Sequence, residues 1–169
     1  MRTTLVLGIA VLGAACGGGG GGGNDWSKKA VKPVTGTIEG AAFSIEVPEG
    51  MRQKTDPKSL ELDFLVDGRV FTPNLTIRQG GFAHTVDDYV KGEPKVATWL
   101  RKEATADGYI VSYENASYPG KEDYIVYSLK KVGDKEWTCS ARVTRWSKDD
   151  KVKDKVPLVE KMCLSLKPS

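Results

Sequence analysis

Residues 109–144 read YIVSYENASYPGKEDYIVYSLKKVGDKEWTCSARVT. Three runs, Tyr109 to Tyr118, Asp123 to Lys131 and Trp137 to Thr144, alternate apolar and polar residues, and Pro119-Gly120 and Gly133-Asp134 separate them. Alternation sends successive side chains to opposite faces of a strand, and Pro-Gly and Gly-Asp pairs favour tight turns. The stretch therefore reads as an antiparallel meander of three strands. Tyr109, Val111 and Tyr113 share one face of the first strand, and Ile125, Tyr127 and Leu129 share one face of the next. The opposite faces carry Ile110, Tyr124 and Val126, so the sheet is apolar on both sides. Two readings follow. Either helices cover both sides and these residues are core, or Tyr109, Tyr113 and Tyr127 mark an apolar cleft or a protein-docking surface.

Upstream, Phe43, Ile45 and Val47 alternate with Ser44 and Glu46 in a strand that Pro48-Glu49-Gly50 ends. Leu60, Leu62, Phe64 and Val66 form a second such run, and Asp67-Gly68 is a strong hairpin signal after it. The returning strand, Arg69 to Arg78, contains Pro73, which predicts an edge position or a bulge. Thr85-Val86-Asp87-Asp88 resembles a capping box with Asp in place of Glu. Gly92 to Pro94 interrupts that helix. The 3–4 spacing of Val96, Trp99, Leu100 and Glu103 predicts that it resumes and ends at Gly108. Val156, Val159, Cys163 and Leu166 predict a final helix with Pro157 in its first turn. The expected fold is α+β, an antiparallel sheet of about five to six strands with helices packed on it, in the order β-β-β-α-β-β-β-α. Residues 35–169 are expected to form one globular domain.

This order resembles the PsbP-like fold, found in an extrinsic photosystem II subunit family and in many small bacterial lipoproteins. Phe43-Ser44-Ile45-Glu46-Val47-Pro48-Glu49-Gly50-Met51 is similar to that family's opening strand and turn. Asn74-Leu75-Thr76-Ile77, the helix start Asp87-Asp88-Tyr89 and the closing Leu164-Ser165-Leu166 resemble its later motifs. The resemblance covers about residues 42–167. It implies a binding or assembly factor rather than an enzyme, because the matching motifs are structural. No residue singles out a photosynthetic partner.

The N-terminus reads as an address. Met1-Arg2-Thr3-Thr4 precedes an apolar run, Leu5 to Leu12, too short to span a bilayer, and the small residues Gly13-Ala14-Ala15. The segment Leu12 to Cys16 resembles a bacterial lipobox, with Leu one place further back than usual. The expectation is a signal peptide over 1–15 and acylation of Cys16, the alternative being an ordinary signal cleaved after Ala15. Seven consecutive glycines, Gly17 to Gly23, follow, so residues 16–34 are read as a flexible tether. Lys28, Lys29 and Lys32 read as solvated linker charges rather than as a polybasic membrane patch. The remaining composition is ordinary: 169 residues, 40% hydrophobic, 28% charged, net charge +3, mean hydropathy −0.34. That balance gives no nucleic-acid footprint.

Candidate chemistry is sparse. Cys139 and Cys163 point into one interface if the last helix packs on the last strand, which predicts either a disulfide or two buried thiols. His84 is the only histidine and reads as a surface residue ahead of a helix. Asp87-Asp88 and Asp149-Asp150 read as capping or solvated pairs, and no cysteine–histidine cluster has metal-ligand spacing. Two sequons, Asn74-Leu75-Thr76 and Asn115-Ala116-Ser117, read as chance matches. No P-loop, dinucleotide fingerprint or nucleophile elbow occurs. The sequence thus predicts a non-enzymatic lipoprotein of the cell envelope, without metal or cofactor. Its anchor is expected at a bacterial membrane, the periplasmic face of the outer membrane before the inner. An envelope protein is the expected partner, and a small apolar ligand between sheet and helices is the alternative.

Overall fold

The computed structural model describes residues 25–66, 70–93, 95–117, 122–145 and 151–169. The signal segment, Cys16, the glycine run, Asp67-Gly68, Pro119-Gly120 and Asp149-Asp150 lie outside the described residues. A 3-10 turn, Trp26–Lys28, precedes the strands β1 (Val31–Ile38), β2 (Ala41–Pro48), β3 (Arg52–Asp56), β4 (Ser59–Val66) and β5 (Val70–Gln79). Helix α1 (Val86–Gly92) follows, then β6 (Val96–Thr105), β7 (Gly108–Asn115), β8 (Asp123–Val132) and β9 (Lys135–Thr144). Helix α2 (Val152–Leu164) and the short β10 (Lys167–Pro168) complete the chain. Seven strands form one sheet in the order β3-β4-β5-β9-β8-β7-β6, and β1, β2 and β10 form a second. Every pairing is antiparallel. The α+β class holds, with more strands than expected.

The extra strands are the ones whose sequences carry the weakest alternation. All five residues of β3 are exposed, so it has no apolar face to read; its charges suit a sheet edge. β1 and β2 meet through Glu39 and Gly40, both at positive φ, the geometry of a two-residue hairpin turn. Gly36 sits opposite Phe43, whose ring occupies the space a side chain there would need. Residues 25–34, read as tether, carry structure: Trp26 is buried in the core, and β1 begins at Val31.

Residues 96–105 correct the expected helix. They form the edge strand β6, whose register against β7 shifts between Val96 and Thr98 and again between Trp99 and Arg101. Each shift inserts one residue and inverts the alternation after it. Val96 and Trp99, opposite Asn115 and Tyr113, therefore fall on one face at a spacing of three, which imitates a helix. Gly108 does not end a helix but opens β7. A side chain there would meet the Leu129 carbonyl across the ladder. Pro73 lies at a bulge, where the register steps from Asp63↔Asn74 to Leu65↔Phe71, but β5 is interior rather than an edge. Helix α2 starts five residues before Pro157, which is therefore beyond its first turn, and Leu166 is buried just past its end.

The two faces of the large sheet are covered differently. Leu60, Leu62, Leu75, Ile77, Cys139, Ala141, Val143, Val126 and Ile110 point to one face, where α2 and the small sheet cover them. α2 contributes Val152, Val156, Val159, Met162 and Cys163. Cys139 and Cys163 form a disulfide, with Cα atoms 5.4 Å apart. Nearby, Glu160 accepts hydrogen bonds from Ser112 Oγ at 2.6 Å and Arg101 at 2.9 Å. That arrangement ties α2 to β6 and β7.

Candidate functional site

The second face starts from the complementary half of each alternation. β7 and β8 contribute Tyr109, Val111, Tyr113, Ile125, Tyr127 and Leu129, while β5 and β9 contribute Thr76, Arg78, Thr138 and Ser140. One half of the face is therefore aromatic and the other hydroxylated and charged. Helix α1 covers only the aromatic half. Its start is fixed by Thr85, whose Oγ1 accepts from the Asp88 N–H at 3.1 Å and donates to the Asp88 carboxylate, as the capping pattern predicted. Tyr89 on α1 then packs on Tyr127 with ring centroids 4.7 Å apart and planes tilted by 37°, and approaches Tyr109 and Tyr113 at 6.1 and 6.4 Å.

Tyr109, Tyr113 and Tyr127 do not form an open surface. Each is at most 5% exposed, within a cluster that includes Ala83, Tyr89, Val111 and Leu129. Tyr109 Oη donates to the Ala83 carbonyl at 2.9 Å and so pins the segment ahead of α1 to the sheet. Tyr113 and Tyr127 also line a cleft of about 670 Å³ at the border of the two halves. Phe82 is the exposed member of the set, at 68%, and its ring lies 5.1 Å from Tyr89 and 5.3 Å from Tyr127. Thr76, Thr138 and Ser140 supply hydroxyls along the cleft, with Arg78 and Glu93 as its charged residues.

Burial raises all four phenols of the block. Tyr113 and Tyr127 are pushed up to about 12, and Tyr89 and Tyr109 higher still. They stay neutral at physiological pH and act as hydrogen-bonding, stacking groups rather than as proton acceptors. Tyr127 Oη has the Tyr109 and Thr138 hydroxyls for neighbours. At the far end of the same face, the buried Asp123 accepts from Arg142, Asn115 and Thr144, closing β8 onto β9.

His84 is exposed and lies 2.9 Å from the Glu136 carboxylate, which it holds below the usual carboxylate range together with Lys131. Asp87 and Asp88 lie in the first turn of α1. Lys29 rests over the Phe64 ring, and Lys28 and Lys32 pair with Asp25 and Glu49. Among the described residues no three His, Cys, Asp or Glu side chains are grouped to hold a metal, and no helix is long and apolar enough to cross a membrane. Sequence reading missed Phe82, Arg78, Tyr89 and Glu93, which reach the cleft from three separate elements. The signal for Phe82 is an aromatic residue directly after Gly80-Gly81, a turn in which Gly80 takes positive φ.

No protein-family model matches the chain, and no curated protein matches it by sequence. Among solved structures it is similar to the Saccharomyces cerevisiae Ran-binding protein Mog1p, with TM-score 0.53 and 10% identity over 82% of this chain and 95% of that one. A Bacteroides thetaiotaomicron protein aligns with TM-score 0.44 and 16% identity over 75% of this chain and 45% of its own. At such identities the likeness to Mog1p speaks for the fold alone: the chain has an α+β architecture of the Mog1p and PsbP-like kind.

Proposed function

We propose that this protein is a membrane-anchored, non-catalytic lipoprotein of the cell envelope that works as a protein-binding or assembly module. The observation that carries the reading is the half-covered sheet face, where Phe82 stands 68% exposed on a rigid block of tyrosines. An aromatic anchor on a packed base, ringed by polar groups, is the usual make-up of a protein-binding hot spot. The Ran-binding activity of Mog1p, on a similar fold, supports a protein partner. The Cys139–Cys163 disulfide supports an oxidising compartment. A photo-crosslinking residue at position 82, compared with one at the exposed Val132, tests the surface in intact cells. A discrete adduct from position 82 alone is expected; equal smears from both positions would sink the idea. Loss of palmitate labelling in Cys16→Ser tests the anchor.

A second reading, a carrier of a small apolar ligand, is favoured by the cleft of about 670 Å³ with its aromatic wall. That volume lies within the range of small-molecule sites. Native mass spectrometry of the Cys16→Ser chain distinguishes it, since a carrier retains a discrete extra mass.

A further inference from the structure

Arg78 and Phe82 come from opposite ends of one turn, and the cleft lies between them. Arg78 is exposed at the end of β5, and among the described residues no carboxylate pairs with its guanidinium. The other sheet-face cations nearby are engaged: Arg52 with Asp63 at 2.6 Å and Lys54 with Glu61 at 3.8 Å. Next to Arg78 the cleft presents the hydroxyls of Thr76 and Ser140, while the buried Thr138 hydroxyl donates to the Arg78 carbonyl at 3.5 Å. Beyond them lies the exposed ring of Phe82, backed by Tyr89 and Tyr127.

We propose that the cleft is a binding site for a small amphipathic carboxylate, its anionic end on Arg78 and its flat apolar body against the exposed ring of Phe82. This rests on the carrier reading and replaces its apolar ligand with one of defined polarity. A guanidinium presents paired donors that match a carboxylate, and hydroxyl groups beside it satisfy the remaining lone pairs. The exposed Phe82 ring selects a planar body by stacking. Glu93, also on the cleft, opposes a second negative charge, so a monoanion fits better than a phosphate dianion.

The probes are 2-naphthoate, its neutral isostere 2-naphthamide and 2-naphthyl phosphate, titrated into the chain carrying Cys16→Ser, which retains every described residue. Saturable binding of naphthoate is expected, weakened at least about tenfold by Arg78→Gln, the loss of one charge-assisted contact. The amide should change less than about twofold in the same variant, and Phe82→Ala should weaken both. Arg78 and Phe82 are exposed, so neither variant is expected to unfold the domain, and thermal unfolding checks this. Equal naphthoate affinity in wild type and Arg78→Gln overturns the carboxylate site while leaving the carrier reading standing. Tighter, Arg78-dependent binding of the phosphate overturns the monoanion preference. Failure of all three probes to bind overturns both.

Discussion

On one face of the seven-stranded sheet, aliphatic side chains, Trp137, Tyr124 and a disulfide lie sealed beneath α2 and the small sheet. On the other, the same strands present tyrosines under a seven-residue helix and, beside them, the half-buried Thr76 and the exposed Ser140 and Arg78. Both faces obey the same alternation of side chains, so the difference lies in what covers them. Burial of apolar surface against α2 and the small sheet supplies stability without distinctive chemistry. A half-covered face supplies less of it, but leaves the Phe82 ring and polar donors within reach of a second molecule. Substitutions on the sealed face should therefore change unfolding, and those on the open face should change binding.

The largest expected effect is on the sealed face. Replacing both Cys139 and Cys163 with Ala opens a loop of 24 residues' separation and should lower stability by about 3–4 kcal/mol in the chain-entropy account. Denaturant unfolding with and without reductant reads it; an unchanged midpoint would mean that the bridge contributes nothing. Glu160→Ala comes next. It leaves Ser112 Oγ buried without its acceptor and takes one of two carboxylates from Arg101, at a cost of about 2 kcal/mol. Glu160→Gln, which still accepts from Ser112, should recover most of that loss.

On the open face, Phe82→Ala should cost less than about 1 kcal/mol, because two-thirds of the side chain is already in water. A larger loss would move Phe82 into the structural class and break the contrast. The smallest expected effect is electrostatic. Ser27 and Lys155 hold Asp25 at about 2, below its ordinary value of 3.8. A carboxylate depressed by folding stabilises the folded state above its unfolded pKa, and that contribution is lost as pH falls through the folded value. Wild type should therefore lose stability between about pH 4 and pH 2 more steeply than Asp25→Asn. Parallel curves for the two proteins would refute the Asp25 contribution.

The sealed face was the more legible of the two. Trp137, Cys139, Ala141 and Val143 alternate cleanly, and the pattern of α2 brings Cys163 opposite Cys139, so both halves of the bridge were visible as facing residues. The meander was legible for the same reason. β6 was not, because two bulges convert a period of two into spacings of three and four. β3 has no apolar side chain at all. Of the cleft, only the tyrosines could be read, since they repeat within single strands. Arg78 and Phe82 are brought to the same place by a turn with a positive-φ glycine, and Tyr89 by the short helix beyond it. Local periodicity carries no trace of such convergence.

The 3-10 turn at the start of the described chain has a consequence for orientation. Trp26 enters the sealed core, and Lys155 of α2 holds Asp25 at 3.2 Å and sits 5.7 Å from the Trp26 ring. The polypeptide thus joins the domain on the side of α2, with the whole thickness of the sheet between this entry point and Phe82. A partner seated on Phe82 would therefore approach the face opposite to the one at which the chain enters the domain.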